Sequence, residues 1–270
     1  MRALRGSVLL VAGALATAAT LVRADDTTRQ EIQKYQRMTS ESSPVELWEL
    51  QGADLWKAKR GPKNASLERC DLGMGPGVVK GAYAHLPRYF KDTGRVQDLE
   101  SRLVTCMTTL QGFTEAEATK RVFGNADNPS DMEYLAAYVA GQSRGTKMQV
   151  STKLPQEKET YELGKKLFFY RAGSWDFSCA SCHGTEGKRI RMQELPVLSE
   201  PAGARGTYTT WPGYRVSVSQ LKTMQWRIND CFRQQRFPEP AYGSEATVAL
   251  TMFMAVNANG ATYNGPGTKR

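Results

Sequence analysis

The five-residue motif Cys179-Ala-Ser-Cys-His183 restricts this chain more than any other feature. In a Cys-x-x-Cys-His motif the two thiols bind the vinyl groups of a haem, and the adjacent histidine ligates the iron. A thioredoxin-like redox pair would need a β-α-β context, and a zinc site would need further cysteine or histidine ligands nearby. His85, the second histidine, stands apart beside Pro87, and we interpret it as structural. The motif predicts one haem c, attached to Cys179 and Cys182, with His183 as the proximal iron ligand.

The first 24 residues have the pattern of a cleaved export signal. Arg2 and Arg5 precede an apolar run at residues 8–21, and a small residue, Ala24, ends the segment. The run is short for a membrane-spanning helix, so an uncleaved anchor is the weaker alternative. Removing residues 1–24 lowers the net charge from +9 to +6, because they hold three arginines and no acidic residue. We expect a basic periplasmic protein with no membrane span after processing and no nucleic-acid partner, suited to anionic ligands.

The chain also contains an internal repeat. The copies share segments in the same order, first at an offset of 112 residues and then at an offset of 125, with a weaker third match. The paired segments are 52–56 with 164–168, 66–71 with 178–183, 102–106 with 227–231, and the helices that start at Ser130 and Ser244. Three matches in one order are hard to explain by chance. The repeat therefore predicts a mainly α-helical protein of two cytochrome c-like domains.

The two predicted domains differ at the haem motif. After the signal peptide of residues 1–24, we expect one domain at 25–150 and the other at 151–270. In the first domain, Leu67 stands at the position of the first attachment cysteine and Asp71 at the position of the histidine. Because both are essential to the motif, only the second domain is predicted to bind haem.

Cys70 and Cys106 occupy haem-site positions of the first domain. By the repeat, Cys70 matches Cys182 and Cys106 matches Cys231. With no haem between them these two thiols can approach to disulfide distance, and exported proteins mostly pair their cysteines. We therefore predict a disulfide between Cys70 and Cys106; the alternative is two unpaired buried thiols.

Cys231 is then the odd cysteine of the five. It lies in a predicted helix at 216–235, whose apolar residues recur every three or four positions and should face the core. These residues are Leu221, Met224, Ile228 and Cys231. Since the core of this domain holds the haem, Cys231 is a candidate distal iron ligand opposite His183.

Methionine is the alternative distal ligand, because it takes this position in many small electron-carrying cytochromes. The candidates are Met224, Met252 and Met254. Methionines at helical spacing are more often part of the core than ligands. The two copies share a cysteine at position 231 and share no methionine, which favours Cys231.

Arg227 lies one helical turn before Cys231 and on the same face of the predicted helix. A fixed positive charge beside a sulfur lowers the pKa of the thiol, and a guanidinium also offers a forked site for an oxyanion. An ordinary role as a haem-propionate partner or a surface residue is equally compatible with the sequence.

Together these residues resemble the SoxA family, the cytochrome subunits of thiosulfate-oxidising Sox systems, in its single-haem form. The resemblance covers nearly the whole chain after the signal peptide. Many family members carry haem in both halves, and this chain departs from them at Leu67 and Asp71. The resemblance implies that Cys231 is a distal haem ligand carried as a persulfide. It also implies that Arg227 lies beside it at the substrate site.

The resemblance further implies an enzyme with two protein partners. SoxA proteins pair with SoxX, a small cytochrome c, and act on SoxY, the carrier of SoxYZ, through its mobile cysteine-bearing tail. The implied activity is that of a haem-dependent L-cysteine S-thiosulfotransferase. It joins thiosulfate oxidatively to the carrier cysteine and passes two electrons to c-type haem. Thiosulfate is a small dianion, which suits Arg227 and a basic surface.

Two other functions remain compatible with the motif. A plain electron-transfer cytochrome would use Cys231 only structurally, so Cys231→Ala would still pass electrons and no extra sulfur would be found on the cysteine. A peroxidase-type haem enzyme would keep an open coordination site, which low-spin thiolate–histidine ligation would contradict.

Overall fold

The protein is mainly helical, with small sheets between the helices. The computed structural model describes residues 44–119, 129–190 and 193–269, together with residues 30, 31, 34 and 38. The predicted signal peptide lies outside the described residues. Within the described part of the chain, no helix is both long enough and apolar enough to span a bilayer.

In the ranges that the structure describes, the secondary-structure elements are short. The helices are α1 Val45–Lys57, α2 Leu99–Cys106, α3 Glu115–Ala118, α4 Asp131–Gly141, α5 Pro155–Phe169, α6 Cys179–His183, α7 Pro201–Thr207, α8 Met224–Gln234 and α9 Glu245–Asn257. The strands are β1 Arg88–Phe90, β2 Arg95–Gln97, β3 Arg189–Ile190, β4 Gln193–Glu194, β5 Gly213–Arg215, β6 Gln220–Lys222 and β7 Gly267–Lys269. Antiparallel pairs form between β1 and β2, β3 and β4, and β5 and β6, and β7 joins β5 in parallel.

In the first half of the described chain, α1 packs along α4. Ser130 begins α4, because its hydroxyl accepts a hydrogen bond from the Glu133 amide at 3.2 Å while the Glu133 carboxylate accepts one from the Ser130 amide at 2.9 Å. The two helices meet closely at Gly52, where an added Cβ would lie 2.0 Å from the carbonyl oxygen of Tyr134. The ring of Trp48 stacks on Tyr134 with centroids 4.5 Å apart. A small residue thus lets the two helix backbones approach.

In the second half, α5 packs along α9 in the same way. Pro155 stands in the first turn of α5, where its missing N–H costs nothing. A Cβ added at Gly164 would lie 1.9 Å from the carbonyl oxygen of Ala249. Phe168 packs beside Phe253, with ring centroids 5.1 Å apart. Both halves therefore use one glycine at the equivalent position to bring two helices together.

The β5–β6 hairpin corrects the sequence-based prediction of a helix at 216–235. The helix starts only at Met224, and Leu221, expected on its core face, lies in β6. Ser219 adopts a left-handed backbone conformation with φ of 52°, which turns the chain between the two strands. The other helix expectations are confirmed: the predicted starts at Ser130 and Ser244 are helix N-caps.

The β5–β6 hairpin has an equivalent in the first half. β1 and β2 form the equivalent hairpin, and each hairpin follows a proline, Pro87 or Pro212, in a cis peptide bond. Residues of both halves contribute to one shared hydrophobic core. The residues from Pro44 onward form a single compact unit. The predicted division at residue 150 stays a prediction.

Replacing Gly164 with alanine should destabilise the fold by about 2–3 kcal/mol, because the new methyl group forces α5 away from the Ala249 carbonyl. Gly206→Ala on α7 is the matched control. No heavy atom lies within 4 Å of a Cβ added at Gly206, so we expect a neutral effect or a gain of about 0.5–1 kcal/mol. Urea unfolding of both variants measures the difference, and equal unfolding midpoints would contradict the close helix contact.

Candidate functional site

The Cys179–His183 motif forms the short helix α6. Ser178 caps it: the Ser178 hydroxyl accepts a hydrogen bond from the Ser181 amide at 3.2 Å, and the Ser181 hydroxyl accepts one from the Ser178 amide at 3.0 Å. These two hydrogen bonds stabilise one helical turn. Cys179 and Cys182 are three residues apart in that turn and therefore lie on the same side of the helix. Both thiols are free and partly buried. The two thiols therefore lie on one side of α6, as the attachment of a haem requires.

His183 is held in one orientation by its own backbone surroundings. Its Nδ1 lies 2.9 Å from the carbonyl oxygen of Pro196, to which it donates in the neutral tautomer. Burial lowers the pKa of His183, and the charge of Arg227 lowers it further. A neutral imidazole whose Nδ1 is already bound presents Nε2 as its free electron pair, which is how histidine serves as an iron ligand.

Cys231 on α8 lies beside the two thiols of the motif. It is free, and it interacts electrostatically with both Cys179 and Cys182. Burial raises the pKa of Cys179 to about 12, and the neighbouring Cys231 adds to this. The structure thus brings together four of the residues predicted from the sequence: two attachment thiols, an oriented imidazole and a thiol from another helix. This donor set fits a haem c with one histidine and one sulfur ligand.

Arg227 belongs to the same group of residues. Its Nη1 donates to the Asp230 carboxylate at 2.7 Å, and its charge acts on both Cys231 and His183. Burial raises the pKa of Cys231, whereas Arg227 lowers it by less. The sequence therefore predicted the direction of the arginine's effect correctly and missed the larger effect of burial.

Arg215 is a second cation at this site, and the sequence reasoning missed it. It ends β5, its guanidinium lies over the ring of Trp226 at 6.0 Å from the centroid, and its charge lowers the pKa of Cys231. The repeat pairs position 215 with Phe90, which is uncharged, so comparison of the two copies held no signal for it. Only the β5–β6 hairpin brings Arg215 back towards α8.

The equivalent place in the first half is built differently. Cys70 and Cys106 form the predicted disulfide, with Cα atoms 5.5 Å apart. Arg102, the match of Arg227, donates through Nε to the carbonyl oxygen of Asp71 at 2.6 Å and lies over the ring of Phe90 at 3.9 Å. The Asp71 carboxylate accepts hydrogen bonds from two glycine amides of the following turn. The residues at haem-site positions here serve the local structure.

The methionines considered as distal ligands are all core residues. Met252 and Met254 are buried on α9, and Met224 is buried at the start of α8. They belong to the shared hydrophobic core, together with side chains of both halves. His85 ends a short 3₁₀ turn and is partly buried, apart from the thiol cluster.

The chain matches known proteins along most of its length. A model of the SoxA/TsdA cytochrome c domain matches residues 51–148 and 163–263. The SoxA subunit of L-cysteine S-thiosulfotransferase from Hydrogenophilus thermoluteolus is 49% identical, over 98% of this chain and 97% of the relative. A SoxA subunit from Hydrogenobacter thermophilus is 38% identical, over 84% of this chain and 82% of the relative.

The fold also matches a solved structure. The crystal structure of SoxXA from Paracoccus pantotrophus superposes with a TM-score of 0.70 at 27% identity, covering 84% of this chain and 79% of the other. The family model identifies a cytochrome c domain, and the mainly helical architecture with small sheets agrees with it. On this evidence the chain belongs to the SoxA family of cytochrome c proteins.

Proposed function

We propose that this protein is the SoxA subunit of an L-cysteine S-thiosulfotransferase, which works with a SoxX-like cytochrome c on the cysteine of a SoxY-like carrier. The observation that carries the proposal is the grouping of Cys231, Arg227, His183 and the two attachment thiols at one place. The names of the relatives support it, since each is a SoxA subunit of this transferase. The SoxXA structure supports a SoxX-like partner.

In this proposal Cys179 and Cys182 would hold one haem c covalently, and His183 and Cys231 would ligate its iron. The Nδ1 contact of His183 with Pro196 supports this, because it directs the other ring nitrogen away from the backbone. When bound, the haem supplies a one-electron acceptor close to the sulfur chemistry. The disulfide and Asp71 support a single haem, since the first half keeps neither the thiols nor the histidine that attachment needs.

The proposed reaction joins the outer sulfur of thiosulfate to the sulfur of the carrier cysteine. A carrier thiol and a thiosulfate dianion give an S-thiosulfonate monoanion, one proton and two electrons, which leave to haem acceptors. Cys231, carried as a persulfide, is the sulfur centre at which the thiosulfate is bound and oriented. The charges of Arg227 and Arg215 act on that sulfur and favour a dianion, while Asp230, the ion-pair partner of Arg227, opposes part of their effect.

We also place the mature protein in the periplasm, as two cytochrome c-like domains at 25–150 and 151–270. The export pattern of residues 1–24 supports the location, and the disulfide is typical of an oxidising compartment. The two separate matches to one cytochrome c domain model support the duplication.

Mass spectrometry of the purified protein tests the proposal most directly. We expect the mass of one haem on the peptide of Cys179 and Cys182, a disulfide between Cys70 and Cys106, and about one extra sulfur on Cys231. A second haem, or a Cys231 that is unmodified and freely alkylated, would contradict it. The latter result would favour a plain electron-transfer cytochrome.

Replacing Arg227 with alanine should raise the KM for thiosulfate about tenfold or more, since a hydrogen bond to a charged group is lost. Arg233→Ala is the matched control. Arg233 also contacts Asp230, at 3.5 Å, but its side chain is half exposed, and we expect less than about a twofold change for such a surface pair. Steady-state kinetics of the SoxA–SoxX complex with its carrier measure both. An unchanged KM in Arg227→Ala would remove this residue from the substrate site.

A further inference from the structure

The first turns of α2 and α8 meet at a buried polar cluster between the two halves. We call it the junction cluster; its members are Tyr83, Asp98, Glu100, Tyr208 and Gln225. Each is at most 7% exposed, and Gln225 is fully buried. Buried polar side chains are costly unless they are hydrogen-bonded, so their contacts should show what the cluster does.

Gln225 uses both ends of its side chain and its backbone amide in this cluster. Its Nε2 donates to the Asp98 carboxylate at 2.5 Å, and its Oε1 accepts from the Gly243 amide at 2.7 Å. Its backbone amide donates to the Glu100 carboxyl at 3.4 Å. Amides in the first turn of a helix have no hydrogen-bond acceptor within the helix. Glu100, in the first half, supplies the acceptor for one such amide of α8. Gln225 thus connects α8 to α2 and to the segment before α9.

The pairs in the cluster are equivalent positions of the repeat. The offset of 125 that relates the two hairpins also takes Tyr83 to Tyr208 and Glu100 to Gln225. The Tyr83 and Tyr208 side chains interact with each other, and the Gln225 backbone amide donates to the Glu100 carboxyl. Contacts between equivalent residues are what a two-fold related interface produces. The halves therefore pack at this point like two copies of one protein.

Only one of the two pairs differs in residue type, since Glu100 is matched by Gln225. A glutamate at 225 would place a third carboxyl beside Asp98 and Glu100, whereas the amide of Gln225 can donate to Asp98. Burial raises the pKa of Glu100 to about 8, and the neighbouring Asp98 adds to this. Both effects disfavour two adjacent full charges in the cluster.

We propose that Gln225 is a positioning residue, through which the haem-less half sets the placement of Arg227 and Cys231. This inference rests on the proposed function, in which Cys231 is the distal haem ligand. All three residues are on α8, and a helix transmits a displacement of its first turn along its length. Cys231 is six residues beyond Gln225, about 9 Å along the axis. A tilt of a few degrees at the junction therefore moves the ligand sulfur by a distance that matters for ligation.

The test compares Gln225→Met with Gln111→Met in the complete haem protein bound to its SoxX-like partner. Gln111 is also fully buried and also donates through its side-chain amide, to the Ala65 carbonyl at 3.1 Å, within the first half. Both variants should lose stability. Only Gln225→Met should give a second set of EPR g-values for the oxidised haem. It should also lower kcat about tenfold or more, because a small displacement of Arg227 and Cys231 disturbs the geometry of the reacting groups. If methionine at 225 prevents folding, Gln225→Asn and Gln111→Asn make the same comparison.

Three outcomes support or overturn the positioning role of Gln225. New g-values in the Gln225 variant alone support the positioning role. Wild-type g-values and kcat in that variant, or an equal change in the Gln111 variant, overturn it. Cys231→Ala reports separately on the proposed function: if its g-values match those of the wild type, Cys231 is not the distal ligand, whatever Gln225 does.

Discussion

Cys231→Ala should lower the rate of thiosulfate transfer to the carrier about a thousandfold or more, while the haem stays attached. The variant removes the sulfur at which we propose that thiosulfate is oriented, and it leaves Cys179, Cys182 and His183 in place. Covalent attachment depends on these three residues and not on the distal ligand. Reduction of an electron acceptor by the SoxA–SoxX complex with carrier and thiosulfate measures the rate, and the haem absorbance after denaturation measures attachment.

Ile228→Val is the matched control for that experiment. Ile228 is buried on the same helix, one turn before Cys231, and losing one methyl group should cost about 1 kcal/mol of stability and leave the activity within about twofold. A Cys231→Ala enzyme that works within tenfold of the wild type would contradict the proposed sulfur chemistry. It would then leave electron transfer as the better function for the chain.

Removing the disulfide by replacing Cys70 and Cys106 with alanine should lower the melting temperature strongly. The bond joins residues 36 positions apart, and closing a loop of that length in the unfolded chain contributes about 3–4 kcal/mol. In a protein of this size such a loss corresponds to about 8–15 °C. The visible spectrum of the haem should not change, because the disulfide lies in the half that holds none of the haem ligands that we propose. Thermal unfolding followed by circular dichroism measures the first expectation, and absorbance spectra measure the second.

Two results would count against this reading of the first half. A melting temperature within about 2 °C of the wild type would mean that the disulfide does little for stability. A changed visible spectrum of the haem would mean that the disulfide also affects the haem site that we propose in the second half. Single variants at either cysteine are less informative, because each leaves a buried free thiol.

The residues of the candidate site could be predicted from the sequence because their chemistry is encoded locally. Cys179, Cys182 and His183 are adjacent in the chain, and Arg227 and Cys231 lie one turn apart on one helix. The disulfide also followed from the sequence, because the repeat aligned both cysteines with haem-site positions. Its presence in the structure confirms that prediction.

The contacts between distant segments could not be predicted in this way. The segment 216–222 has apolar residues at spacings that suit a helix, yet Ser219 turns it into a hairpin and Leu221 packs beside Trp48 and Ala137. Arg215 reaches the site only through that hairpin. Gln225 belongs to no functional motif, and its partners Asp98 and Glu100 lie more than a hundred residues away in the chain. Such residues are identified by packing and not by motif.

The free thiols of the second half have a consequence for how the protein must be assembled. Cys182 and Cys231 occupy the positions at which Cys70 and Cys106 are already bonded to each other in the same fold. A bond between Cys182 and Cys231, formed by oxidation before the cofactor is added, would occupy one attachment thiol and the proposed distal ligand. We therefore expect the order of cofactor addition and oxidation to affect the yield of haem-loaded protein.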